Sequence, residues 1–509
     1  MAIRRIRVLA RGVPVFAILL LSGPLFAGRT TGPQPQRDES QQNQPRKFTL
    51  GEPKPAEPVL LPPPPVLQWN PFGTRELRPS LFDQREALLG RSRDLIPPPP
   101  GSVTRAILGF VALLVLAYLG GHRSVQRFEQ RFNIAHLATA GLPFLFLGLI
   151  AAQPGIGILS PEVLKEIAPL LSLGLGWIGF AVGSRFNARA LDDLPPGTSA
   201  AVFLTTAFPI FAIFVVCAVV LAASGQSVAE SGYLRDALLL GTAGAMATRK
   251  SPRFARKMFP AERPIGRLAR IVELQQLAGV LGLMMVSAYF RPHGPAVAWQ
   301  LPGTAWLFIM LGIGTTMGVL VYATLTKINK DPQFTVALLG AIAFTAGIAS
   351  FLRLSPVAVC FIAGAIIVNL GGTWKEQVRT VLRHLERPVY FVFLVIAGAL
   401  WHPSEWQGWA LMVIFVTVRF ASKWLSVELL RRFWVHDLAF RERRSLTASP
   451  VGALSIAIVV SAQDLYSGPS VPWIVTAVIG GAVVMEAALQ LSVRRMGPAK
   501  KPAPAALET

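Results

Sequence analysis

Repeated long apolar runs constrain this chain more than any other feature. Between residues 102 and 493 it reads as about thirteen such runs, most near the ~20 residues that a helix needs to cross a ~30 Å hydrocarbon core. They fall at 102–121, 134–153, 166–183, 200–223, 236–257, 266–290, 303–326, 333–352, 354–370, 388–402, 407–430, 444–464 and 471–493. No water reaches backbone groups in lipid, so each run must satisfy its own hydrogen bonds as a helix. Charge points the same way. Only 15% of the 509 residues are Asp, Glu, Lys or Arg, against about 25% in soluble domains. The expectation is an all-α polytopic membrane protein.

The segments outside that region have their own signatures. Residues 1–27 begin with Arg4-Arg5-Ile6-Arg7, continue into an apolar stretch and end in small residues at Ala27, the pattern of a signal peptide or signal anchor. Residues 28–101 are rich in Pro, Gln and Arg, with uninterrupted prolines at 62–65 and 97–100. Such a segment buries too little apolar surface to offset its ordering entropy, so a disordered or polyproline II tether is expected. Residues 494–509 form a short tail.

The 49 Lys and Arg against 27 Asp and Glu give a net charge of +22. With residue 101 outside and the chain alternating, the inner connections hold 28 of those basic residues, and the outer ones chiefly Lys165, Arg235, Arg291 and Arg353. The positive-inside rule favours this orientation. It places the Pro-rich segment outside and the C-terminus inside, as in a bacterial inner-membrane protein. The charge is therefore topology, with some attraction to anionic membrane lipid, and calls for no nucleic acid. Cys217 and Cys360 both sit in apolar runs and read as buried small hydrophobes. No metal-ligand spacing and no Ser/His/Asp constellation appears, so neither a metal, a cofactor nor an enzyme activity is expected.

The two halves of the membrane region echo each other. Gly141-Leu142-Pro143, leading to Pro154-Gly155-Ile156-Gly157, resembles Leu354-Ser355-Pro356, leading to Ala363-Gly364 and Asn369. The copies are seven segments apart, and an odd offset inserts them in opposite senses, as in the inverted repeats of secondary transporters. Two further segments are interrupted at matching places. The apolar run Ala237–Thr248 stops early at Arg249-Lys250-Ser251-Pro252, and Arg443-Arg444-Ser445 runs into Leu446-Thr447-Ala448-Ser449-Pro450-Val451-Gly452. Such paired interruptions point to two broken helices crossing at the bilayer midplane.

With these motifs, residues 105–493 resemble the cation/proton antiporter superfamily, the sodium/hydrogen exchanger group. The resemblance implies thirteen helices, a six-helix core around two crossed broken helices, a dimerisation domain and hence a homodimer, and exchange of Na⁺ or K⁺ for H⁺. It also implies an Asp, in the helix after the first broken one, that binds proton and cation in turn. Here that helix reads Glu273-Leu274-Gln275-Gln276-Leu277-Ala278-Gly279, with no acid at the expected place. Arg249, after Thr248, stands where an Asp often follows Ala-Thr.

The candidates for ion binding are therefore Glu273, Gln275, Gln276, Thr248, Arg249, Thr447 and Ser449. Glu273, Glu486, Arg419 and Lys423 remain in apolar surroundings, where one charge costs roughly 2.5–3.5 kcal/mol even on a lenient scale. Mutual pairing among the four is expected, with Arg419 or Lys423 as the partner of Glu273. They are either packing staples or, in Glu273 or Glu486, a displaced titrating group. Two functions follow: a monovalent cation/proton antiporter, or a transporter-fold protein that has lost proton coupling and handles an anion or acts as a membrane sensor.

Overall fold

The computed structural model describes residues 142–153, 159, 161–188, 197–224, 232–247, 266–291, 301–328, 331–370, 375–433, 440–466 and 468–495, together with Val111. The expected signal segment, the Pro-rich segment, the run 102–121 and residues 496–509 lie outside these.

Every regular element among the described residues is a helix: α1 Leu142–Ala151, α2 Pro161–Glu166, α3 Ala168–Gly183, α4 Thr198–Ala223, α5 Gly232–Ala245, α6 Gly266–Tyr289, α7 Gly303–Leu325, α8 Asp331–Phe351, α9 Pro356–Leu370, α10 Lys375–Ala399, α11 Trp406–Phe433, α12 Phe440–Thr447, α13 Ala453–Leu465 and α14 Val471–Arg495. Six of these (α4, α6, α7, α8, α11 and α14) are long and apolar enough to cross a membrane. Four shorter apolar helices accompany them: α3, α9, residues 388–399 of α10, and α13. This is a multi-pass membrane fold.

The helix ends follow local chemistry. Proline stands at the start of α3 and of α9, where a missing N–H costs nothing. Gly197, at φ 79°, supplies the left-handed turn that opens α4. Two boundaries differ from the sequence expectation. In the described part of the run 236–257 the helix ends at Ala245, and buried Met246 and Ala247 after it are non-helical. Residues 375–387, expected as a loop, are the first half of α10. They are strongly amphipathic, with Val378 and Leu382 buried beside Phe334 and Leu338 while Arg379, Arg383 and His384 face out.

The helices form two groups. In the core group, α4 packs on α5 and α11, α11 on α14, α5 on α6 and α13, and α13 on α14. In the second group, called here the panel, α3 packs on α8, α9 and α10, α7 on α9, and α1 on α10. The groups meet where α6 touches α7 and α9, and where α13 touches α3 and α9. Contacts between ends confirm that the helices alternate in direction. At one end Arg185, after α3, meets Glu386 of α10 at 2.9 Å. At the other, Ser350 of α8 bonds Ser172 of α3 (2.8 Å) and Ser355 bonds Ser461 of α13 (3.0 Å). The first end, which also carries Arg270, Arg379, Arg431 and Arg444, is the basic face.

Small residues set the spacing inside the panel. A Cβ on Gly179 would lie 2.1 Å from the carbonyl oxygen of Val357, and one on Gly183 would lie 2.0 Å from that of Phe361. Helices α3 and α9 thus touch backbone to backbone, the close approach that drives association in lipid, where no hydrophobic force separates helix from tail. Gly179→Ala is expected to destabilise the protein by about 1–3 kcal/mol, despite alanine's better helix propensity. Gly347→Ala, where nothing lies within 4 Å of the added carbon, should leave stability unchanged or slightly raised. Thermal unfolding of the two variants in the same detergent checks both.

Candidate functional site

The site is built around a broken helix end. Helix α5 stops at Ala245 in the interior, so the carbonyls of its last turn have no partner of their own. Two side chains of α11 supply the donors. Arg419 donates from Nε to Gly244 O (2.7 Å) and from an Nη to Met246 O (2.9 Å). Lys423, one turn on, donates to Ala245 O and to Thr205 O of α4 (3.1 Å). Both side chains are fully buried. Their charge also complements the negative end of the α5 dipole.

The second interruption meets the first at the same point. Between α12 and α13 the chain is non-helical over Ser449–Gly452, where Pro450 lacks a backbone donor. Ser449 O accepts from the other Nη of Arg419 at 2.7 Å. Ser455, in the first turn of α13, donates to Ala243 O at 2.8 Å. One guanidinium therefore ties both breaks together, with Met485 Sδ of α14 against it at 3.4 Å. The second span is interrupted as expected. The continuation of the first lies outside the described residues, as do Thr248 and Arg249.

This corrects the expected charge pairing. Among the described residues no carboxylate forms an ion pair with Arg419 or Lys423; backbone carbonyls hold both. Glu273 pairs instead with Arg270, three residues earlier on α6, at 3.5 Å. The physical reason is proximity: the orphan carbonyls of α5 lie between α11 and α6, and they take the donors first. Glu486 is buried on α14 next to Met485 and interacts with Tyr390 of α10.

The remaining candidates divide in two. Gln275 is fully buried. Its Nε2 donates to Thr205 Oγ1 at 2.7 Å, and no described residue donates to its Oε1. Gln276 donates to Ala247 O at 3.2 Å, against the non-helical end of α5. Ser449 lies at the crossover through its carbonyl, while its hydroxyl, like that of Thr447, bonds its own helix. A small cleft, with room for about one water molecule and lined by Val182, Arg185, Phe186, Glu273, Gln276, Leu277 and Phe361, lies between core and panel. Its residues from α3 and α6 lie toward the basic face. Gln276 therefore borders both the cleft and the crossover, and Glu273 stands at the cleft wall.

Sequence reasoning missed two features at the other face. Arg235 and Asp236 form a buried pair at 2.7 Å, extended by Ser470 and by the ring of Tyr466, 4.4 Å from the guanidinium. Asp464 is buried in the last turn of α13. The signal for both was an acid at the edge of an apolar run, which reads as a segment boundary until neighbouring helices cover it.

No known protein family matches the sequence, and no curated protein does. Among solved structures, the sodium proton antiporter MjNhaP1 from Methanocaldococcus jannaschii superposes with a TM-score of 0.54 at 13% identity, covering 76% of this chain and 99% of that one. The chain has an antiporter-like fold.

Replacing Arg419 would leave three buried carbonyls without a donor, at about 1–3 kcal/mol each. Arg419→Met is expected to abolish a stable fold or lower the unfolding temperature sharply. Arg431→Met, on the exposed end of the same helix, should change it little. Size-exclusion profiles and unfolding curves of the purified variants report the difference.

Proposed function

We propose that this protein is a secondary transporter that exchanges a monovalent cation for protons by moving its six-helix core against the panel. The observation that carries this reading is the crossover of interrupted spans, reached by a cleft from one face and closed on the other by Ser355 and Ser461. Non-helical backbone at membrane depth survives only where it is buried in protein or lines a cavity, and here it borders the cleft through Gln276. In this reading the basic face is cytoplasmic, the chain works as a homodimer in a bacterial inner membrane, and helices α1–α6 and α9–α14 are inverted copies. Reciprocal contacts support the last point. Helix α1 packs on α10 and α3 on α9, so the first helix of each copy meets the second helix of the other.

Glu273 is the carboxylate that lines the cleft, with Gln276 and Oε1 of Gln275, which no described residue bonds, as neutral oxygen ligands. Glu486 is the second candidate acid. Proteoliposomes under an imposed pH gradient are expected to show cation-dependent proton flux that falls at least tenfold in Glu273→Gln. Flux absent from the unaltered protein, or unchanged in both Glu273→Gln and Glu486→Gln, rejects the reading.

One observation favours a second function. The crossover holds two cations and, among the described residues, no acid, a field that attracts anions. An uncoupled anion transporter or sensor would then show anion-dependent flux or binding with no dependence on Na⁺ or K⁺, and the same liposomes decide between the two.

A further inference from the structure

Asp464 is a buried carboxylate to which no described residue supplies a counter-charge. It sits in the last turn of α13, eleven residues beyond the crossover and so about 16 Å along the helix at 1.5 Å per residue. It is 6% exposed. Helix α13 belongs to the core but packs on α3 and α9 of the panel, and one turn before Asp464 its Ser461 bonds Ser355 across that seam. Asp464 therefore lies in the closed half of the seam.

No described residue gives its carboxyl a hydrogen bond or an ion pair, and no charged side chain acts on it. The charges of the packed elements at this face are engaged elsewhere. On α5, Arg235 holds Asp236. Beyond α6, Arg291 donates to Leu352 O at 2.9 Å and stacks on Trp306. Before α9, Arg353 lies close enough to Arg291 for their like charges to repel, and it exerts no such effect on Asp464. Helix α3 carries no titratable side chain, and the first acid on α14 is Glu486, far along it. The uncharged titratable groups on or beside these elements are Tyr233, Tyr289 and Tyr466, whose hydroxyl is spent on Val286 O at 3.3 Å, with Cys360 on α9. An ionised carboxylate buried without partners pays a desolvation cost that nothing here repays.

We propose that Asp464 is a proton-binding site, occupied while this half of the seam is closed and vacated when it opens. The carboxyl O–H bond breaks on opening, and the proton passes to water on that face. Because the closed state binds the extra proton, acid on that face favours closure and alkali favours opening. This deepens the transport reading by giving the access step a proton dependence away from the crossover. Occupancy of the site stands on burial alone, and only its role in transport rests on that reading.

Infrared difference spectra of the full-length protein between acid and alkaline pH test occupancy. The C=O stretch of a protonated, weakly bonded carboxylic acid is expected in the unaltered protein, lost in Asp464→Asn and displaced but present in Asp464→Glu. A band unchanged in Asp464→Asn overturns the assignment. Maleimide labelling of Ser355→Cys from that face tests the linkage. It should rise at least fivefold as pH rises and stay flat and low when Asp464→Asn is added. An equal rise in both backgrounds overturns the linkage. Loss of ion exchange with these spectra intact would remove the transport reading and leave the proton site standing.

Discussion

The carbonyls at the broken end of α5 decide how the middle of this protein is built. A helix that stops inside an apolar medium exposes acceptors that water cannot reach, and each needs a donor from another segment. Arg419 and Lys423 are those donors. Their long side chains bring α11 against α5 and α4. The guanidinium's planar spread of N–H groups lets one residue serve both interruptions, which a lysine at 419 could not do. The crossing of α5 with the α12–α13 break, and the seat of Met485 against it, follow from that one bonding requirement.

The panel is held differently. Its helices approach until backbone touches backbone, at Gly179 and Gly183 between α3 and α9 and at Gly148 and Gly398 between α1 and α10. Close packing of this kind resists sliding, because any displacement drives carbonyl oxygens into backbone. Between core and panel the joints are of another sort: a few isolated side-chain bonds (Ser355 with Ser461, Gln463 with Leu400 O, Trp401 with Thr476), the sides of α6 and α13, and a cleft. Movement between two rigid groups concentrates where such packing is thinnest, which is why the proposed access step and the proposed proton site both fall on that seam.

Much of this was legible in advance, and the reasons differ by element. Helices α4, α6, α7, α8, α11 and α14 were visible because lipid demands length and apolarity together. The second interruption was visible because Pro450 and Gly452 break helices by local chemistry. The extent of α10 was not, since its first half hides apolar residues at helical spacing within a basic stretch. Arg419 and Lys423 are legible as buried charges, but acids are the partners that a sequence displays. Backbone carbonyls leave no mark in a sequence, so their claim on those donors could not be read there. Asp464 reads as the edge of an apolar run, because only the packing of other helices around α13 makes it buried.

The sequence by itself determined the class of molecule, the positions of most spans and the absence of an acid from Gln275 to Ala278, since these follow from hydropathy, local breakers and residue identity. Only the tertiary structure decided which groups meet. It assigned Arg419 to carbonyls rather than to Glu273, set Gln276 between cleft and crossover, and enclosed Asp464. Burial and hydrogen bonding between segments far apart in the chain depend on packing, and packing is a property of all the helices at once.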